Sequence, residues 1–125
     1  MPERENRANR ILVVDDEPLI RETIKRVLGF DGHTVETAGS GREALALFEE
    51  DKFDLLILDY EMPDMRGDEL ALLIKALVPN QPIAIITGYR EAAVRSLLTE
   101  VDLIVSKPFD PQELRREINK LFAKG

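Results

Sequence analysis

The sequence predicts a doubly wound α/β domain built on a five-stranded parallel sheet, and three observations lead there. Four short runs are wholly apolar: Ile11-Leu12-Val13-Val14, Leu55-Leu56-Ile57-Leu58, Ile83-Ala84-Ile85-Ile86 and Leu103-Ile104-Val105. Each is too short for a helix and too uniformly apolar for a half-exposed strand, so each reads as a strand buried on both faces. Stretches with apolar residues at helical spacing separate them, and that alternation builds parallel sheets. Every run also stops abruptly at a polar residue, as strands do at the edge where open α/β sheets place their chemistry.

Taken in order, residues 1–9 alternate charge and amide with no apolar period and are expected to form a disordered leader. The folded domain is expected over residues 10–123. The first run ends at Asp15-Asp16-Glu17-Pro18, and Pro18 fits the first turn of a helix. Leu19, Ile20, Ile24, Val27 and Leu28 give that helix its apolar face, and Gly29 and Gly32 bracket its end. His33-Thr34-Val35-Glu36-Thr37-Ala38 alternates and is more polar, as an edge strand is. Ser40-Gly41-Arg42-Glu43 is a capping box opening a second helix, with Ala44, Leu45, Leu47 and Phe48 facing inward. The third strand, residues 55–58, runs into Asp59 and a Met62-Pro63 turn. Gly67-Asp68-Glu69 then leads a third helix with Leu70, Leu73, Ile74 and Leu77 on its buried side, stopped by Pro79. The fourth strand ends at Thr87-Gly88 and precedes a short fourth helix over residues 91–98. The fifth ends at Ser106-Lys107-Pro108. Asp110-Pro111-Gln112-Glu113 caps the fifth helix, whose buried stripe is Leu114, Ile118 and Leu121.

This is one domain of five strands and five helices, with no linker or repeat. Right-handed crossovers and an edge-like second strand favour the flavodoxin-like order 2-1-3-4-5. The ends of strands 1 and 3 are then neighbours at the switch point, with strand 4 beside them.

Composition excludes several functions. The chain is 44% hydrophobic and 33% charged, as soluble globular proteins are. It has no cysteine, so disulfides, thiolate metal sites and thiol nucleophiles are out. The single His33 cannot build a multi-histidine metal site. No apolar run approaches the roughly 20 residues of a membrane span, and without an apolar signal region the cytoplasm is the expected location. A net charge of −7 with no basic patch argues against direct nucleic-acid binding. Solubility alone explains such a charge, although hard cations such as Mg²⁺ also want carboxylate oxygens.

The chemistry gathers at the strand ends: Asp15 and Asp16, Asp59, Thr87 and Lys107. Singly, each has an ordinary explanation, since Asp16 could cap a helix, Thr87 start a turn and Lys107 sit in water. All of them at one sheet edge do not. Clustered carboxylates either raise a pKa or hold a cation, and an oxygen-only ligand set suits Mg²⁺. Lys107 can grip a phosphate as a point charge, and Thr87 offers a hydroxyl. Asp59 is left as a nucleophile able to form an acyl phosphate.

Four motifs in this order resemble those of response-regulator receiver domains, with the likeness running over residues 11–122. They are Val13-Val14-Asp15-Asp16-Glu17, Leu58-Asp59-Tyr60-Glu61-Met62-Pro63 with Gly67, Ile85-Ile86-Thr87-Gly88, and Ser106-Lys107-Pro108-Phe109. The resemblance implies that Asp59 accepts a phosphoryl group from a histidine kinase or histidine phosphotransfer domain. It implies that Asp15, Asp16 and Asp59 bind Mg²⁺ together with the Glu61 backbone carbonyl. Thr87 would be the switch hydroxyl and Lys107 the phosphate contact, with Lys107-Pro108 cis. The domain would then be a signalling switch in a phosphorelay, catalysing only its own phosphorylation and dephosphorylation. Output would go to an effector domain or a homodimer, through the face of the fourth helix, fifth strand and fifth helix. Two positions depart from the pattern: Ile104 where an aromatic residue is common, and Glu100-Val101 where Gly-Ala often stands. Glu61 and Tyr89, two residues after Asp59 and Thr87, are expected to tune water access and phosphoryl lifetime.

Rival readings weigh less. A Mg²⁺-dependent aspartyl-phosphate phosphatase would want a substrate-enclosing cap, for which the chain is short, and Glu61 is its only nearby acid. Gly39-Ser40-Gly41-Arg42-Glu43-Ala44 mimics a dinucleotide fingerprint, but Glu43 would oppose a pyrophosphate at the helix N-terminus. A receiver-like scaffold that never phosphorylates would not need the complete residue set.

Overall fold

The computed structural model describes residues 9–88 and 101–124. Its strands are β1 (Arg10–Val14), β2 (Thr34–Ala38), β3 (Leu55–Asp59), β4 (Ile83–Thr87) and β5 (Leu103–Ser106). All neighbours pair in parallel, in the order β2-β1-β3-β4-β5. Four helices lie among the described residues: α1 (Pro18–Gly29), α2 (Gly41–Leu47), α3 (Gly67–Leu77) and α4 (Pro111–Lys124). The fourth of the five helices expected from the sequence, over residues 91–98, lies outside the described residues.

Side chains alternate across the pleat, so each central strand feeds two cores. Leu12, Val14, Leu56, Leu58, Ile83 and Ile85 face Ala44 of α2 and Leu70, Ala71 and Ile74 of α3. Ile11, Val13, Leu55, Ile57, Ala84 and Ile86 face Ile24, Val27 and Leu28 of α1 and Leu114 and Ile118 of α4. This double burial explains the unbroken apolar runs of β1, β3 and β4. β2 is an edge strand, as its alternation predicts. β5 is the other edge, and there Leu103 and Val105 are only partly buried while Ile104 is buried, so its run is less deeply enclosed than the sequence reading expected.

The helix faces need correction. Leu19 is 78% exposed, and in α3 Leu73 and Leu77 are 45% and 66% exposed; the buried stripe of α3 is Gly67, Leu70, Ala71 and Ile74. The cause is Gly67. Its N–H donates to the Tyr60 carbonyl at 2.9 Å, and a Cβ at Gly67 would lie 2.6 Å from the Asp59 carbonyl oxygen. That close approach sets the rotation of the helix. Positions three, four and seven residues on then face the sheet, and Leu73 and Leu77 turn away.

The predicted caps form, with one displacement. Ser40 Oγ accepts from the Glu43 N–H at 3.0 Å, but Glu43 Oε1 accepts from the Gly39 N–H at 2.7 Å, one residue before the cap. α2 ends at Leu47, so Phe48 packs from the helix terminus. Asp110 Oδ1 accepts from the Gln112 N–H at 2.8 Å and opens α4.

Candidate functional site

The parallel ladder itself assembles the site. Beyond the last residue of β1, the Asp15 N–H still donates to the Ala38 carbonyl at 3.1 Å. At the end of β3, Asp59 sits opposite Ile86, and the Tyr60 N–H donates to the Ile86 carbonyl at 2.8 Å. At the end of β4, Thr87 sits opposite Ser106, and the Lys107 N–H donates to the Thr87 carbonyl at 2.7 Å. The peptide bond between Lys107 and Pro108 is cis, as expected.

Asp15, Asp59 and Thr87 are buried, whereas Asp16 is exposed at the rim. One carboxylate oxygen from each of Asp15, Asp16 and Asp59 falls within 4.8 Å of the others. Lys107 Nζ donates to Asp59 Oδ1 at 3.0 Å, and the Glu61 N–H donates to the same oxygen at 3.2 Å. Asp15 Oδ1 accepts from the Glu17 N–H at 2.9 Å. The second oxygens, Asp15 Oδ2 and Asp59 Oδ2, are buried and make no hydrogen bond among the described residues. Buried carboxylate oxygens left without donors are costly, and a cation shared between them, or a proton on one of them, would relieve that cost. The donor set fits a hard, oxygen-seeking ion.

The electrostatics follow from burial. Desolvation pushes the Asp59 carboxyl up to about 6, with the Asp15 charge adding to it, against the hydrogen bonds from Lys107 and the Glu61 N–H. Burial also raises Asp15, opposed by the Glu17 N–H and the Lys107 charge. Burial works against the Lys107 ammonium, yet its pKa rises, because the bond to Asp59 and the charges of Asp59, Asp15 and Glu61 outweigh it. Both partners of the Lys107–Asp59 pair shift upward for different reasons: burial dominates at Asp59, and the three carboxylates around the ammonium dominate at Lys107.

Residues 11–119 match the family described as the response regulator receiver domain. The chain belongs to that family. Receiver domains of this family serve two-component signalling, and their relatives agree with the geometry. The response regulator MprA of Mycolicibacterium vanbaalenii is 36% identical over 117 residues, covering 92% of this chain and 51% of that protein. The chain thus spans about half the length of the curated relatives it matches. A CheY-like receiver domain protein from Methanospirillum hungatei superposes with a TM-score of 0.84 at 35% identity, covering 94% of this chain and 96% of the other. The response regulator TrrA from Thermotoga maritima, crystallised in complex with Mg(2+)-BeF, superposes with a TM-score of 0.81 at 40% identity, covering 90% and 98%.

The receiver fold brings together Asp15, Asp16, Asp59, Thr87 and Lys107, and the Glu61 peptide adjoins Asp59 through its N–H. Tyr89 and Glu100 lie outside the described residues. Ile104, in the place of the common aromatic, is buried beside Leu58 and Ile85 in the core, with Val101 packed against that cluster. Three contacts were not legible in the sequence. Arg21 donates to the Asp15 carbonyl at 2.7 Å. Asp64 accepts from the Gly41 and Arg42 amides at 3.2 and 3.1 Å. Those amides are the ones a pyrophosphate would need, which removes the dinucleotide reading's binding site. The Glu61 side chain takes the Thr87 hydroxyl at 2.6 Å. None of these follows from a spacing rule, since each crosses from one loop to another element.

Proposed function

We propose that Asp59 is the phospho-acceptor of a receiver switch, taking a phosphoryl group from a phosphohistidine on a histidine kinase or histidine phosphotransfer domain. The observation behind this reading is the pairing of Asp59 with Lys107 at 3.0 Å beside two buried carboxylate oxygens that have no hydrogen bond among the described residues. A carboxylate oxygen of Asp59 attacks phosphorus. The O–P bond forms as the N–P bond breaks, and the electron pair stays on the departing imidazole. Lys107 stays with the group being transferred and offsets its charge. Mg²⁺, held by Asp15, Asp16 and Asp59 with the Glu61 carbonyl, would supply further charge compensation for the phosphoryl oxygens. Thr87 then offers its hydroxyl to the phosphoryl group, which couples the covalent state of Asp59 to β4.

The TrrA complex with Mg(2+)-BeF supports the Mg²⁺ assignment by likeness. Among the described residues no helix is long and apolar enough to cross a membrane. Output to an effector domain or a second copy would use the side of the sheet carrying β5 and α4. Intact-mass analysis after incubation with Mg²⁺ and a small acyl phosphate should give one added phosphoryl group, absent in Asp59→Asn. No gain in the wild type would refute the reading, and multiple turnover of a phosphate ester would favour a phosphatase instead.

A further inference from the structure

The Glu61 carboxylate gathers the donors that a phosphoryl group on Asp59 would require. Thr87 Oγ1 donates to Glu61 Oε2 at 2.6 Å. The Gly88 N–H donates to Oε1 at 3.0 Å and to Oε2 at 3.3 Å. Lys107 Nζ, bonded to Asp59 Oδ1, stands 4.0 Å from Glu61 Oε1. A hydroxyl and a backbone amide therefore converge on one anion, with the ammonium nearby on Asp59, the carboxylate read as the phospho-acceptor. The Glu61 side chain is about a third exposed while Thr87 is fully buried, so Glu61 is free to leave and Thr87 is not.

A phosphoryl group brings about −1.5 to −2 of charge and three acceptor oxygens to this place. Glu61 and that group repel each other, and the Thr87 hydroxyl has a single proton to give. The two anions would therefore compete for the Thr87 proton.

We infer that the Glu61 carboxylate is an internal anion that holds the Thr87 and Gly88 donors in the unphosphorylated domain, beside the Lys107 charge, and competes with the phosphoryl group for them. The inference rests on Asp59 being the phospho-acceptor. Glu61 then acts as a positioning residue. It orients Thr87 before phosphorylation, and its release is part of the switch. This differs from an effect on water access alone, because the influence of Glu61 passes through the Thr87 hydroxyl.

The test is a titration of the domain with beryllofluoride, followed by ¹⁹F NMR, with Mg²⁺ kept saturating for each variant separately. Glu61→Ala should bind beryllofluoride about tenfold more tightly than wild type, equivalent to about 1.4 kcal/mol. Glu61→Gln, which keeps the size and one acceptor oxygen, should fall between them. In a Thr87→Val background the gain from Glu61→Ala should shrink to about threefold or less. Wild-type binding that Glu61→Ala leaves unchanged, or a gain that persists in full without the Thr87 hydroxyl, overturns the competition while leaving the phospho-acceptor reading intact. If the wild type gives no bound ¹⁹F signal and resembles Asp59→Asn, the phospho-acceptor reading fails and the inference falls with it.

Discussion

Asp59 shows most directly how a folded chain perturbs an ordinary side chain. Its residue type and place in the sequence carried the idea of a nucleophile, but its pKa comes from burial, Asp15 and Lys107. Because the folded carboxyl titrates near about 6, above the ordinary 3.8, its contribution to stability is fully present below about pH 4 and is lost as pH rises through about 6. Asp59→Asn should therefore stabilise the free domain at pH 7 by roughly 1–3 kcal/mol, with the difference vanishing near about pH 4; urea unfolding at several pH values measures this. Cation binding should weaken below about pH 6, because a protonated carboxyl is a poor ligand. Glu61 belongs to the same scale. Its position two residues after Asp59 was legible, but its grip on Thr87 was not, because the loop path between them is not written in any local pattern.

At the scale of elements, α3 shows where periodicity runs out. A helical spacing of leucines nominated Leu73 and Leu77, yet Ala71 and Ile74 are the ones buried, since Gly67 abuts Asp59 and Tyr60 and sets the rotation. Ile74→Ala should cost about 2–5 kcal/mol, whereas Leu77→Ala should stay within about 0.5 kcal/mol, both read from denaturant midpoints. Gly67→Ala should destabilise the domain by about 1–3 kcal/mol and slow phosphorylation, because the added methyl pushes on the Asp59 backbone. Remote from the site, Arg115 of α4 binds Asp31, just past α1, through two 2.7 Å hydrogen bonds. The Arg115 bond, with help from Asn119, holds the Asp31 carboxyl down at about 2. That stabilisation is present above about pH 4 and is lost as pH falls towards about 2. The gap in thermal midpoint between wild type and Arg115→Met should close over that range.

For the whole molecule, signalling requires a large differential between two states. Moving an equilibrium from 1:99 to 99:1 takes about 5.5 kcal/mol, and charge-assisted hydrogen bonds contribute roughly 1.5–3 kcal/mol each. Two or three new bonds to a phosphoryl group would be enough. If Thr87 and Gly88 already serve Glu61, however, phosphorylation exchanges bonds for part of that sum, and the balance between the two anions sets the bias of the switch. Mg²⁺ should also stabilise the folded domain, by about 2.7 kcal/mol at a hundred times its dissociation constant. Thermal shift should show this in the wild type and show it much reduced in Asp59→Asn.

The sequence by itself determined the parallel sheet, its 2-1-3-4-5 order and the residues that end each strand. Doubly buried strands must be uniformly apolar, and a parallel ladder with right-handed crossovers leaves few ways to join them. Only the tertiary structure decided which face of α3 is buried and what Glu61 holds. The rotation of a helix and the reach of a loop side chain depend on contacts between residues that no local period links: Gly67 with Asp59, and Glu61 with a hydroxyl 26 residues further on.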